Sequence, residues 1–210
     1  MKILTFKNNS MGQNIYMCHC EETGEGIIID AGCSTADEKA IMKVINENGI
    51  TVKAILLTHG HYDHLIAVEK IKKLTNAEVY CHASEKQFLE NPEFNLSWRT
   101  GRNISVVPDK LLNDSDVLTF GTISLKVLHT PGHTPGGVCY YSEKACSLFS
   151  GDTLFKGSVG RTDLPLGDHD KLMRNIAAKL LVLPDETVVY PGHGNNTDIR
   201  HEKKSNPFLK

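Results

Sequence analysis

The sequence lacks any long hydrophobic run. None of its apolar stretches approaches the roughly 18 consecutive residues that a helix needs to cross a bilayer, which argues against a membrane-spanning protein. The apolar stretch at the N-terminus, within MKILTFKNNS, is too short for a signal peptide. We therefore expect a cytoplasmic protein that has no membrane partner.

The sequence also lacks an excess of charge of either sign. Its formal net charge is −2 at pH 7, and its pI is about 6.5. A chain without a basic footprint is a poor candidate for a dedicated nucleic-acid-binding protein. Its 40% hydrophobic and 23% charged residues are close to the globular average, which argues against disorder. We expect a small-molecule substrate and a monomer or small homo-oligomer.

No two cysteines form a C-x2-C pair. The six cysteines are irregularly spaced, so the sequence indicates neither a zinc finger nor a disulfide framework. Cys18 and Cys20 flank His19 and could suggest a metal site. Strand alternation places both thiols on one face with no second pair nearby, so we predict that they pack in the core.

No internal repeat, low-complexity segment or Pro/Gly/Ser-rich linker divides the 210 residues, so we expect a single domain over 1–210. Short apolar runs alternate with amphipathic stretches, which is typical of an α/β fold. β-Branching, alternation and flanking turn residues predict strands at 27–29, 54–57, 123–127, 138–141, 148–149 and 188–190.

Apolar residues recur at helical spacing in three stretches, 35–48, 64–74 and 169–181, which we predict to be helices. For the first helix we predict a capping box of Thr35 and Glu38 and an end at Gly49. The polar segment 91–113 is predicted to be a long surface connection.

Polar signatures follow five of the predicted strands. They are Asp30-Ala31-Gly32, the segment from His59 to His64, Thr130-Pro131-Gly132-His133, Ser150-Gly151-Asp152 and Tyr190-Pro191-Gly192-His193-Gly194. Loops at the strand ends of α/β proteins can converge at one edge of the sheets. We therefore expect these residues to form one site.

The segment THGHYDH, residues 58–64, places four ligand-type side chains within six positions. Imidazole and carboxylate groups bind zinc, iron and manganese, and two such ions sharing an oxygen lie about 3.5 to 4 Å apart. Five histidines and two aspartates make a plausible shell for two ions: His59, His61, Asp63, His64, His133, Asp152 and His193.

Ordinary structural alternatives exist for the isolated residues. A lone histidine or aspartate after a strand is usually a turn residue or a satisfied polar group, whereas the cluster from His59 to His64 has no comparable structural use. Asp30 is either a turn residue or a group that orients a ligand. The other histidines, at 19, 82, 129, 169 and 201, are predicted to be surface, capping or supporting residues.

The motifs T-H-G-H-Y-D-H, T-P-G-H-T, S-G-D-T-L-F and P-G-H-G, in this order, resemble the metallo-β-lactamase superfamily. The resemblance implies a four-layer αβ/βα sandwich, an α/β fold with two mixed β-sheets between helices. It also implies that His59, His61 and His133 bind one metal and that Asp63, His64 and His193 bind the other. Asp152 would bridge the two ions.

Within the superfamily, the segment from Gly151 to Phe155, followed by Gly160-Arg161, resembles glyoxalase II, which hydrolyses hydroxyacyl thioesters of glutathione. Arg161 matches a basic residue that contacts the thiol carrier there. The longer enzymes carry a C-terminal helical substrate domain, which we do not expect here, and commonly have an aromatic residue where this chain has Asp163. The chain is closer to short, single-domain bacterial glyoxalase II-like proteins.

The resemblance implies thioester hydrolysis by a hydroxide that bridges two divalent ions, with Asp63 and Asp152 as the catalytic carboxylates. Zinc is the expected metal, with iron and manganese as alternatives. Two ions, two aspartates and one hydroxide leave the centre at about +1 by formal counting. Arg161 either binds a substrate carboxylate or forms a surface salt bridge.

Other members of the fold suggest alternative functions. Persulfide dioxygenases share the Gly-Arg-Thr-Asp stretch and use one iron, which here would be bound by His59, His133 and Asp152. Dinuclear oxygen reductases typically have a carboxylate where this chain has His61, which argues against that activity. Lactonase activity and a non-catalytic metal-binding role are the remaining alternatives.

Overall fold

The computed structural model describes residues 1–8 and 11–210. The first sheet contains six strands, numbered β1 to β6 in chain order and lying side by side in that order: Lys2–Lys7, Asn14–His19, Glu25–Ile29, Thr51–Leu56, Glu78–His82 and Lys110–Leu112. Strands β1 to β3 pair antiparallel, whereas β3 to β6 pair parallel.

The second sheet contains six of the strands β7 to β14, and the other two form a ribbon. Strands β7 to β14 are Val117–Phe120, Ile123–His129, Val138–Ser142, Ser147–Gly151, Leu154–Phe155, Ser158–Val159, Val188–Pro191 and Thr197–Asp198. The sheet order is β14-β13-β10-β9-β8-β7, and β11 pairs with β12 in the ribbon. Strands β10 and β13 pair parallel, and the other neighbours pair antiparallel.

The helices cover the outer faces of the sheets. Helices α1 to α6 are Thr35–Glu47, Tyr62–Leu65, Val68–Thr75, Lys86–Glu90, His169–Asn175 and Ile199–Ser205. Helix α5 continues into a π-helix at Ile176–Leu180, and short 3-10 helices cover Ala83–Glu85, Ser97–Thr100 and Pro207–Leu209. No helix in the described part of the chain is long and apolar enough to cross a membrane.

The buried side chains form three apolar layers. In β3, Ile28 packs with Ile41 of α1, whereas Ile27 faces the second sheet. In β10, Phe149 joins that middle layer and Leu148 packs against α5. Because neighbouring strand residues point to opposite faces, each sheet separates two apolar layers. The predicted αβ/βα sandwich with two mixed sheets is confirmed.

All six predicted strand segments overlap observed strands, but several strands were not predicted. Among these are β1 and β2, which pair at the edge of the first sheet, and β5, which lies inside it. Cys18 lies in β2 and Cys20 directly follows it. Both are buried between the sheets, which confirms their prediction as core residues.

The predicted helix ends differ from those observed where tertiary contacts intervene. The capping box of α1 uses Ser34 and Asp37, not Thr35 and Glu38. Glu38 is buried and forms an ion pair with Lys70 at 2.6 Å. The first predicted helix is therefore correct in extent but wrong in its cap.

The predicted helix 64–74 is wrong as a continuous element. The structure has α2 and α3 instead, with a break between Leu65 and Val68. The Ala67 N–H donates to the carbonyl of Ala31 at 2.9 Å, so this amide is hydrogen-bonded outside the helix. The region 169–181 is helical as predicted, although it ends as a π-helix.

The segment 91–113 is not only a surface connection. Asn95, Ser97 and Val106 are buried, and the segment ends in β6. The Asn95 side chain donates to the carbonyls of Leu89 and Ile104, which folds the segment back on itself. These side-chain hydrogen bonds to the backbone leave no periodic pattern in the local sequence.

Candidate metal centre

The predicted metal ligands lie on loops that follow strands of both sheets. The segment from His59 to His64 follows β4, and His133, Asp152 and His193 follow β8, β10 and β13. Asp63 and His64 lie in the first turn of α2. The structure brings all seven side chains to one end of the sandwich.

Three histidines form the first cluster. Ligand atoms of His59, His61 and His133 all lie within 4.8 Å of one another. His61 Nδ1 and His133 Nε2 are 2.9 Å apart. The other ring nitrogen of His133, Nδ1, lies 2.7 Å from the carbonyl oxygen of Arg161 and donates its proton there. This tautomer leaves the Nε2 lone pair directed into the cluster.

The second cluster contains Asp63, His64 and His193, whose ligand atoms also lie within 4.8 Å of one another. His193 Nε2 lies 3.1 Å from Asp63 Oδ2. His64 Nδ1 lies 2.9 Å from Asp30 Oδ2, while its Nε2 faces the second cluster. Asp30 therefore orients His64 through the nitrogen that points away from the cluster.

Asp152 lies between the two clusters. Its Oδ2 is 4.0 Å from His59 Nε2, 3.7 Å from His133 Nε2 and 3.8 Å from His193 Nε2. Its Oδ1 is 3.5 Å from His64 Nε2. One carboxylate thus faces histidines of both clusters, as a bridging ligand must.

The electrostatic environment keeps the first cluster neutral. Burial lowers the pKa of His59 well below its usual value, and the charge of His64 adds to the effect. Burial, followed by the charge of His133, lowers the pKa of His61 to about 3. Burial also lowers the pKa of His133. Neutral imidazole is the form that binds metal ions.

The carboxylates favour a positive charge in the second cluster. Burial alone would lower the pKa of His64, but Asp152, Asp30 and Asp63 raise this pKa well above its usual value. Burial alone would raise the pKa of Asp152, yet the charge of His64 brings it well below its usual value. A divalent cation would supply this positive charge in place of a proton.

Unpaired buried atoms test whether a metal fits. His59 Nε2, His64 Nε2 and Asp152 Oδ1 are buried and have no hydrogen-bond partner among the described residues. Such groups are rare in folded proteins because each one loses its interactions with water. All three atoms are of types that bind divalent zinc, iron and manganese. The donor set therefore fits metal ions.

Several supporting residues were not identified from the sequence. The Asn14 side chain donates to the carbonyls of Pro191 and Gly194 at 3.0 and 2.9 Å, and the Tyr16 hydroxyl donates to Pro191 at 2.6 Å. These bonds hold the loop that carries His193. The only sequence signal is an ordinary Asn-x-Tyr in an unpredicted strand.

Arg161 lies beside the clusters with its side chain 62% exposed. Its Nε and Nη2 atoms donate to the two carboxylate oxygens of Asp163, each at 2.7 Å. The surface salt bridge, one of the two alternatives for Arg161, is therefore present. Arg161 also lines a cavity of about 340 Å³, together with His133, Asp152, Phe155, Ser158, Val159, His193 and Gly194.

The remaining histidines lie outside the two clusters. His82 accepts a hydrogen bond from the Ser84 N–H at 3.2 Å and stacks on His129 with a centroid distance of 3.7 Å. His19 is buried, so it is not one of the surface histidines. His169 begins α5, and His201 lies in α6.

Sequence and structure comparisons identify the family. The profile of the metallo-β-lactamase superfamily matches residues 11–193. The chain belongs to this superfamily. It is 40% identical over 185 residues to the probable metallo-hydrolase YqgX of Bacillus subtilis, covering 87% of this chain and 86% of that protein. It is 37% identical over 185 residues to the hydroxyacylglutathione hydrolase GloC of Haemophilus influenzae, with the same coverage.

Solved structures of the superfamily are similar over the whole chain. The BLEG-1 B3 metallo-β-lactamase has a TM-score of 0.92 at 41% identity, and a protein crystallised in a di-iron-bound form has a TM-score of 0.84 at 35% identity. Both comparisons cover 100% of each chain. ETHE1 from Myxococcus xanthus has a TM-score of 0.80 at 26% identity, covering 99% of this chain and 84% of that one.

These comparisons confirm the resemblance inferred from the motifs. The chain is a metallo-hydrolase of the metallo-β-lactamase superfamily. Its membership and the two adjacent ligand clusters together indicate a dinuclear metal centre.

Proposed function

We propose that this metallo-hydrolase cleaves small thioesters, specifically hydroxyacyl esters of a thiol carrier. The observation that carries the proposal is the complete pair of ligand clusters, joined by Asp152 and opening onto the adjacent cavity. The similarity to the hydroxyacylglutathione hydrolase supports a thioester as substrate.

We assign each cluster to one divalent ion. His59, His61 and His133 would hold the first ion, and Asp63, His64 and His193 the second. Asp152 would bind both. Zinc is the proposed metal because histidine and carboxylate ligands suit it, although the same ligands accept iron and manganese.

Bound ions would lower the pKa of a water molecule to near neutrality and polarise the substrate carbonyl. The protein's own carboxylates balance the charge at this site. Asp63 and Asp152 both lie within 4 Å of His193 Nε2 and, as carboxylates, would offset the charge of the ions. The products are a carboxylic acid and a thiol, whose pKa of about 8.5 lets it leave as a thiolate without a dedicated general acid.

The cavity next to the clusters supports a binding site for the acyl group. His133, Asp152 and His193 form its reactive wall, and Phe155 and Val159 supply apolar surface. Its volume of about 340 Å³ suits a small acyl group. A carboxylate of the carrier would bind Arg161, in competition with Asp163.

Persulfide oxidation is the second candidate function, because the chain has the Gly-Arg-Thr-Asp stretch that resembles persulfide dioxygenases. That activity would use one iron held by His59, His133 and Asp152. The second cluster is intact in this structure, which favours the dinuclear hydrolase.

Metal analysis of protein purified without added metal, combined with two assays, tests the proposal. We expect close to two ions per chain. We also expect hydrolysis of a hydroxyacyl thioester, which is measured as the release of free thiol. One iron per chain together with oxygen uptake on a persulfide would contradict the proposal. Lactone hydrolysis in the absence of thioester hydrolysis would contradict the proposed substrate class.

A further inference from the structure

Glu85 is a buried carboxylate that the proposed chemistry does not use. It ends the 3-10 helix Ala83–Glu85 and is 1% exposed. It belongs to none of the ligand clusters, and no cation lies among its hydrogen-bond partners in the described structure. A carboxylate at such a position is costly unless strong hydrogen bonds compensate for the lost water.

Those hydrogen bonds come from two ligand loops. The Gly60 N–H donates to Glu85 Oε1 at 2.8 Å, and the Gly136 N–H donates to Glu85 Oε2 at 2.6 Å. Gly60 lies between His59 and His61. Gly136 lies three residues after His133. Glu85 therefore connects the two loops that carry all three histidines of the first cluster.

Close packing fixes this connection. A Cβ atom at Gly136 would lie 2.4 Å from the backbone nitrogen of Glu85, so the loop approaches the carboxylate closely only because this residue is glycine. Phe88, one turn further along, packs its ring edge-on against His61 at 5.4 Å. The segment around Glu85 thus supports the first cluster from behind.

We propose that Glu85 is a positioning residue that sets the spacing of His59 and His61 relative to His133, and thereby the affinity of the first metal site. Burial raises the pKa of Glu85 to about 7, while the hydrogen bonds from the Gly136 and Gly60 amides oppose this shift and so favour the carboxylate. Accepted by the carboxylate, these two hydrogen bonds hold the two loops at a defined separation. Each Glu85 oxygen accepts from a different loop. The carboxylate acts through the loops and does not touch the metal.

The role rests on the proposed metal centre but not on the proposed thioester substrate. Its test therefore uses metal binding as the readout. Glu85→Gln keeps the shape of the side chain but offers one oxygen acceptor, so one of the two loop amides faces an NH2 donor. Glu85→Asp keeps the charge but is too short to reach both loops.

Glu202 provides a matched control. It is fully buried and accepts from the Gly157 N–H and from the side chains of Thr197 and Asn206. Glu202→Gln removes an equivalent buried acceptor away from the ligand loops. Any effect of lost stability alone will appear in this variant too.

The experiment titrates metal-free protein with Co²⁺, using ligand-field absorption and stoichiometry to follow each ion. For Glu85→Gln and Glu85→Asp we expect one of the two ions to bind about 10- to 100-fold more weakly, the range typical of residues that orient ligands. We expect the other ion to bind as in wild type. Glu202→Gln should bind both ions normally.

The outcomes distinguish a failure of the positioning role of Glu85 from a failure of the proposed metal centre. Unchanged affinities in both Glu85 variants would overturn the positioning role while leaving the metal centre intact. Equal weakening of both ions, or equal weakening in Glu202→Gln, would also overturn it. A wild-type protein that binds no Co²⁺ would overturn the metal centre itself and this role with it. Circular dichroism tests whether each variant is folded. If Glu85→Gln is unfolded, the metal affinities of Glu85→Asp decide the result.

Discussion

Asp30 shows how one residue combines an unusual backbone conformation with hydrogen bonds to the ligand loop. Its φ of 55° lies in the left-handed region, which aspartate and asparagine enter more readily than other non-glycine residues because their short polar side chains can hydrogen-bond locally. Its carboxylate accepts from the Thr58 N–H at 2.8 Å, the Thr58 hydroxyl at 2.7 Å and His64 Nδ1 at 2.9 Å. The Thr58 hydroxyl in turn lies 3.1 Å from His59 Nδ1. Asp30 thereby orients one histidine of each cluster.

We predict that Asp30→Asn lowers metal affinity by about 10- to 100-fold while the protein stays folded. Asparagine tolerates the left-handed conformation, but it loses the charge and presents an NH2 group where a second acceptor is needed. Calorimetric titration with Zn²⁺ measures the change. Asp109→Asn is the control, since Asp109 accepts from the Val79 N–H away from the clusters. Equal affinity in wild type and Asp30→Asn would disprove the orienting role.

At the scale of elements, the strand ends determine which atoms meet. The loop after β13 brings Gly192 so close to the clusters that an added Cβ would lie 2.2 Å from Asp152 Oδ1 and 2.8 Å from His64 Cε1. A side chain does not fit at this position. The P-G-H-G motif thus needs a glycine here because the gap between the loops after β10 and β13 leaves no room for a side chain.

We predict that Gly192→Ala abolishes tight binding of at least one ion, because its methyl group displaces Asp152 or His64. Gly194→Ala is the control: its Cβ would meet no atom within 4 Å, although its φ of +79° makes the substitution mildly destabilising. Metal stoichiometry after dialysis distinguishes the two variants. Two retained ions in Gly192→Ala would contradict the steric argument.

Two other strand ends bring together His82, the last residue of β5, and His129, the last residue of β8. Burial lowers the pKa of His82 to about 4, and the charges of His129 and Lys179 reinforce this shift while Asp114 opposes it. The folded protein therefore binds fewer protons here than the unfolded chain, whose histidine pKa is about 6.5. Neutral His82 makes its full contribution to the free energy of unfolding above about pH 6.5, and this contribution is lost as the pH falls toward 4.

We predict that His82→Asn reduces the loss of folding free energy between pH 6.5 and pH 4.5 by at most about 2 kcal/mol, an upper bound because solvent partly screens the ring. Asparagine does not titrate, and its oxygen can still accept from the Ser84 N–H. Urea unfolding of metal-free protein at both pH values measures the difference. An unchanged slope in His82→Asn would show that His82 is not responsible.

At the scale of the whole molecule, the proposed metal centre connects the two sheets. His59 to His64 follow a strand of the first sheet, whereas His133, Asp152 and His193 follow strands of the second. Ligands from both sheets reach each cluster. Because the ions bind the folded protein, their binding energy adds to its stability.

We predict that chelation lowers the midpoint of thermal unfolding. Each ion present at 100 times its dissociation constant contributes about 2.7 kcal/mol. Scanning calorimetry with and without a chelator measures the shift, and the same chelator saturated beforehand with Zn²⁺ serves as the control. Identical midpoints would mean that the clusters do not bind metal in the folded protein.

The sequence by itself determined the family, the αβ/βα fold and the seven residues that converge. His59, His61, Asp63 and His64 are recognisable because they are adjacent in the chain, and a local motif carries its own geometry. The strands before each polar signature were recognisable for the same reason, since β-branched apolar runs are also local.

Only the tertiary structure decided the supporting residues and the helix ends. Glu85 and Asn14 act through contacts with residues 25 and 177 positions away, and nothing in their own neighbourhoods marks them. The break before α3 likewise depends on the bond from Ala67 to Ala31. Hydrogen bonds between distant segments form only when the chain is folded, so they leave no periodic trace in the sequence.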